Sequence, residues 1–194
     1  MQARVQANIP TIASRPAIGR QLAQVALGTL ALTASSWLSL PTLPVPITMQ
    51  TYVVIVIGAL FGPVLGTITV CAWLGESLLG LPVLAHGTGG ILPFLGPTAG
   101  YLVSFPIVAA FVGWLAQRGW TRAGLLPSFA VMLGGNAINL ALGALWLAAI
   151  LGWSRAFALG VLPFLVGALV KAVLATGTVA LIQKNGSPRV PDLS

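Results

Sequence analysis

Glu76 and Lys171 are the two ionisable residues set deep within apolar stretches of this sequence. A charge at the centre of a bilayer costs about 2.5–3.5 kcal/mol even on a lenient insertion scale. Such residues therefore face a bundle interior, pair with each other or hold a substrate. A Glu76–Lys171 bridge would fix packing, although buried pairs are seldom net stabilising. The alternative is that Lys171 holds an anionic group of a ligand, with Glu76 tuning or binding nearby. Asn136 and Asn139 are three residues apart and share one helix face, where they suit interhelical hydrogen bonds as well as a ligand. Gln50, Tyr101, Trp73 and Trp146 are suited to an apolar pocket with a few directing polar groups. For the tryptophans, interface anchoring or core packing is the simpler reading. His86 and Cys71 are the only residues of their types. One histidine and one distant cysteine do not make a metal site, so no metal is expected. The sequence contains no G-x-x-x-x-G-K-[ST] phosphate loop and no nucleophile–histidine–acid set. It is therefore expected to be neither an enzyme nor, through that motif, an ATP-binding protein, and to need no cofactor.

The elements that must position these residues are dictated by composition. Of 194 residues, 57% are hydrophobic and 6% charged, whereas a soluble domain carries about a quarter charged residues. There is too little polar surface to cover a soluble globule. The net charge of +7 comes from scattered basic residues that flank apolar runs, which argues for topology signals and against nucleic-acid binding. The expected fold is an all-α polytopic membrane protein. A span takes about 20 apolar residues, and six are read: 20–40, 48–62, 64–81, 97–117, 124–151 and 156–182. They form one membrane domain over 20–182, with tails at 1–19 and 183–194. Gly62-Pro63 separates the second span from the third, because proline disfavours a continuing helix. The first apolar run continues through Trp37, Leu38 and Leu40, long enough for a retained span rather than a cleaved signal peptide. Placing both termini in the cytoplasm puts Arg4, Arg15, Arg20, Arg118, Arg122, Lys184 and Arg189 inside and only Arg155 outside, a consistent positive-inside bias.

Two outside loops are not hydrophilic linkers. Residues 40–50 hold three prolines and no charge, and residues 80–90 hold His86 and glycines at 87, 89 and 90. Those glycines permit positive φ or a close backbone approach. Both loops are read as lids over a cavity. In the first span Ala23, Ala26, Ala31 and Ser35 are small enough to let a partner helix come close, or to pack within the bundle.

Several motifs, in order, carry a family resemblance: Pro44-Val-Pro-Ile-Thr-Met-Gln-Thr51, Gly58-Ala-Leu-Phe-Gly-Pro63, Gly80-Leu-Pro-Val83 and Gly96-Pro-Thr-Ala-Gly-Tyr101. Gly143-Ala-Leu-Trp-Leu147 and the segment from Pro163 to Lys171 extend the likeness over about 20–182. The sequence resembles the BioY family, the biotin-specific S components of energy-coupling factor transporters. The resemblance implies a six-helix bundle that captures biotin at the extracellular side of a bacterial cell membrane. It implies a transmembrane coupling subunit and ATP-binding-cassette ATPases as partners, or a homodimer if the chain works alone. It matches Lys171, Tyr101 and Gln50 to family positions, with the glycine loop closing over ligand; Asn139, His86, Gly89 and Gly90 complete the expected site. Ala168 departs from the family's aspartate three residues before the lysine, so Glu76 is expected to supply the missing carboxylate. Ala99 and His86 also stand where the family favours glycine. Competing readings are an S component for another anionic vitamin and a membrane scaffold without a ligand.

Overall fold

The structure, a computed structural model, describes residues 18–186. The chain runs α1 (Ile18–Trp37), β1 (Ser39–Leu40), β2 (Ile47–Thr48), α2 (Gln50–Leu78), α3 (Leu92–Leu95), α4 (Ala99–Gln117), α5 (Leu125–Leu151), α6 (Trp153–Gly160) and α7 (Leu162–Gly186). Helices dominate because a backbone in lipid must satisfy its own hydrogen bonds. Four of them, α2, α4, α5 and α7, are long and apolar enough to cross a membrane. Large apolar side chains such as Leu22, Leu30, Val103 and Leu145 point outward, as a lipid-facing surface requires. Val54, Val70, Trp73, Val108, Val112 and Met132 fill the interior between α2, α4 and α5.

α2 is not one rod. Gly62 has φ 79° and ψ 177°, a region open essentially to glycine alone. A Cβ placed on Gly66 would lie 3.2 Å from the Gly58 Cα, whereas eight residues of straight helix rise about 12 Å. The arms before and after Gly62 therefore fold back on each other. Pro63 then opens the second arm, where its missing N–H needs no partner. α4 packs closely on both arms: a Cβ on Gly58 would come within 2.7 Å of the Ala109 carbonyl oxygen, and one on Gly113 within 2.5 Å of the Pro63 nitrogen.

The molecule has two distinct ends. At one lie the β1–β2 hairpin, which pairs Ser39 with Thr48 and Leu40 with Ile47, the 79–98 loop and the α5–α6–α7 joint. At the other lies the Gly62 turn, beside the Gln117 side chain at the end of α4. There, too, Gln183 Nε2 donates to Thr121 Oγ1 at 3.1 Å, tying the end of α7 to the α4–α5 connection. Arg118, Arg122 and Lys184 belong to this second end, and Arg155 on α6 to the first.

Several expected boundaries move. The helix expected over 156–182 begins at Leu162, because Gly152 (φ 81°) and Val161 (φ −120°) isolate α6 as a separate short helix. Residues 39–40 are strand rather than the end of a helix expected over 20–40, and the helix expected to reach residue 81 stops at Leu78. The tails assigned to 1–19 and 183–194 lie mostly outside the described residues; where described, 18–19 and 183–186 are helical. Arg4, Arg15 and Arg189 lie outside the described residues.

Candidate functional site

A cavity of about 340 Å³ opens at the hairpin end. Its deeper wall comes from Phe164, Ala168 and Lys171 of α7, from Asn136, Asn139 and Leu140 of α5, and from Tyr101, Leu102 and Phe105 of α4. Both expected lids contribute to it: Pro44, Val45, Pro46 and Thr48 from the hairpin, and Leu84, Ala85, His86 and Thr88 from the second loop. Phe164, Ala168 and Lys171 are spaced i, i+4, i+7, which places them on one helix face.

Lys171 is 7% exposed. Among the described residues it makes no hydrogen bond and no ion pair. Burying an ammonium without a partner is costly, a cost that an anionic group in the cavity would offset. Side chains tilt toward the N-terminus of their helix. The N-terminus of α7 is at the hairpin end, so the Cα–Cβ bond of Lys171 is tilted toward that end. α5 runs the other way, so the Cα–Cβ bonds of Asn136 and Asn139 are tilted toward the opposite end.

Both asparagines are held by their amide nitrogens. Asn139 Nδ2 donates to the Tyr101 carbonyl at 3.1 Å and to Ser104 Oγ at 2.6 Å, while Asn136 Nδ2 donates to the Met132 carbonyl at 3.0 Å. Their Oδ1 atoms have no partner among the described residues and remain open acceptors.

Tyr101 serves as wall. Its hydroxyl donates to the Gly160 carbonyl at 2.8 Å, and its ring stacks on Phe164 with centroids 6.0 Å apart. A Cβ on Gly143 would strike that ring. Gln50 is also held from both sides: Thr48 Oγ1 donates to its Oε1 at 2.9 Å, and its Nε2 donates to Ser36 Oγ at 2.8 Å. It thus ties the hairpin lid to α1.

The second lid is anchored below its tip. Trp73 Nε1 donates to the Val83 carbonyl at 3.2 Å, and Gly90 N–H to the Ser77 carbonyl at 2.7 Å. Gly87 and Gly90 have φ of 68° and 79°. Gly89 lies against the Leu81 carbonyl, where a Cβ would collide. His86 reaches the cavity, but Gly89 and Gly90 do not line it; they shape the loop that carries His86.

The structure thus brings Lys171, Gln50, Tyr101, Asn139 and His86 around one cavity. It does not bring Glu76 there. Glu76 sits half-buried in the last turn of α2, does not line the cavity and forms no ion pair with Lys171 among the described residues. The expected charged pole of Lys171 with Glu76 is therefore not present in this geometry. Ala23, Ala26 and Ala31 are exposed on the outer side of α1, while Ser35 is buried and donates to the Leu32 carbonyl at 2.7 Å; it belongs to the inner face. Among the described residues no three His, Cys, Asp or Glu side chains group as metal ligands, and Cys71 is exposed on α2. Thr48, Ser104 and Phe164 were not singled out from sequence. The i, i+4, i+7 spacing to Lys171 was the available signal for Phe164; Thr48 lies two residues before Gln50, whose side chain it bonds, whereas nothing in the sequence marks Ser104, which meets Asn139 from 35 residues away.

One cation, neutral acceptors and apolar walls with no acid suit an organic anion that also carries N–H donors.

The chain matches the model of the BioY family over residues 5–187. A protein of Pyrococcus horikoshii named "Probable biotin transporter BioY" is 37% identical over 166 residues, spanning 86% of this chain and 98% of that one. The biotin transporter BioY of Thermotoga maritima is 34% identical over 157 residues, spanning 80% and 91%. A crystal structure of the S-component for biotin from an ECF-type ABC transporter superposes with a TM-score of 0.78 at 29% identity, covering 87% of this chain and 93% of that one.

Proposed function

The chain belongs to the BioY family, and from that premise we propose that it is the membrane component that captures biotin for uptake. The observation that carries this reading is Lys171, a buried cation without a counterion on the wall of an otherwise apolar cavity. Biotin supplies what the cavity lacks. Its carboxylate neutralises Lys171, its ureido N–H groups meet the open Oδ1 atoms of Asn136 and Asn139, and its thiophane and valeryl chain lie against Tyr101, Phe105 and Phe164.

The two arms of α2 count as two passes, so with α1, α4, α5 and α7 the chain crosses the cell membrane six times. Both termini are cytoplasmic. The placement of Arg118, Arg122 and Lys184 at one end, with Arg155 alone at the other, supports this orientation. Energy comes from separate subunits, because the chain has no phosphate-binding loop. The coupling subunit docks against α1, where Ala23, Ala26 and Ala31 leave a shallow outer face.

Titration of biotin and biotin amide into the detergent-purified chain tests the reading. Lys171→Met is expected to weaken biotin binding tens-fold, or about 2 kcal/mol, and to change amide binding much less. A folded wild-type chain that binds no biotin would overturn the assignment and favour a scaffold or another ligand.

A further inference from the structure

His86 is the one non-glycine residue with positive φ among the described residues, at φ 58° and ψ 25°. Left-handed backbone disfavours any residue with a Cβ, although histidine is found there more often than most. The segment does not let it relax. Leu84 N–H donates to the Thr88 carbonyl at 3.0 Å and Gly87 N–H to the Leu84 carbonyl at 3.0 Å. Thr88 Oγ1 donates to the Ala85 carbonyl at 2.8 Å, and Leu84 beneath is 2% exposed. This closed turn holds the imidazole on the rim of the cavity. Lys171 lines the same cavity.

We propose that His86 is a specificity residue that donates a ring N–H to the outward-facing carboxylate of the bound ligand, so that the anion is held between Lys171 on the wall and the lid turn above it. This rests on the reading of the cavity as a biotin site. The ureido ring then lies on the floor, at Asn136 and Asn139. The lid closes on a ligand only when an anionic group completes the contact, which selects carboxylic acids over their neutral derivatives at a second point besides Lys171.

The test uses His86→Gly, which removes the imidazole while suiting the left-handed backbone. Thermal unfolding of the unliganded variant is expected at or above the wild-type temperature. Its affinity for biotin is expected to fall about tenfold, as for a lost charge-assisted hydrogen bond. Its affinity for biotin amide is expected to equal that of wild type. Unchanged biotin affinity would overturn the proposal and leave His86 as a turn residue only. An equal loss for acid and amide would also overturn it, because the contact would then not be to the carboxylate. If the glycine variant does not fold, His86→Asn tolerates the backbone, is too short to replace the imidazole, and is judged by the same acid-against-amide comparison. Wild-type titration is read first: absence of biotin binding there defeats the functional reading itself, whereas a defect confined to the variants bears on His86.

Discussion

Tyr101 shows how a polar side chain can line a ligand cavity while its polar atom is committed elsewhere. Its hydroxyl is taken by the Gly160 carbonyl, so its contribution to a ligand is a ring face fixed in place. Glu76 is the opposite case, a charged group with no place at the cavity. It lies half-buried in the last turn of α2. Glu76→Gln is therefore expected to leave biotin affinity within about twofold of wild type, the scale of a distant surface charge. A tenfold loss in the same titration would return Glu76 to the site. Much of the cavity lining was legible at this scale: Lys171, Asn139, Gln50 and Tyr101 are rare polar groups in or beside apolar runs, and each lines the cavity. Glu76 misled because Leu78, Leu79 and Leu81 continue the apolar run past the end of the helix. Hydropathy does not mark where a helix stops when the following loop is itself apolar.

The site depends on elements that reverse direction sharply. The fold-back at Gly62 sets both arms of α2 against α4, which in turn presents Tyr101 and Phe105 to the cavity. Gly62→Ala is expected to lower the unfolding temperature, because its φ and ψ are strained for any side chain by about 1–3 kcal/mol and a Cβ would come within 2.8 Å of Gln117 Nε2. Biotin affinity of the folded fraction is expected to be nearly unchanged, since the turn lies at the end away from the cavity. Unaltered thermal stability would mean that the fold-back is not glycine-dependent. This break could be read in advance, from a glycine followed by proline inside a long apolar stretch. The break that creates α6 could not. Residues 152–161 are apolar or small throughout except Ser154 and Arg155, and Pro163 falls after the discontinuity, at the second position of α7, where proline is compatible with a starting helix.

For the molecule as a whole, the decisive property is that its two ends differ. The cavity, both lids and Arg155 share one end; Arg118, Arg122 and Lys184 share the other. Lys and Arg bias sets orientation when it falls in short loops beside membrane segments, and here the α4–α5 connection carries two such residues against one on α6. The cavity should therefore open to the outside. This is testable in cells by placing single cysteines in a Cys71→Ser background. Ser154 and Ala123 are both exposed, one on α6 and one in the α4–α5 connection. With a membrane-impermeant maleimide, Ser154→Cys is expected to label in intact cells and Ala123→Cys only after permeabilisation. The reverse pattern would turn the cavity toward the cytoplasm. Capture of a scarce vitamin from outside would then be impossible in the resting state, and Lys171 would have to meet its ligand by an inward-facing route. Labelling of both sites in intact cells, with a lysed-cell control excluded, would point to dual orientation and would remove the charge bias as the determinant of topology.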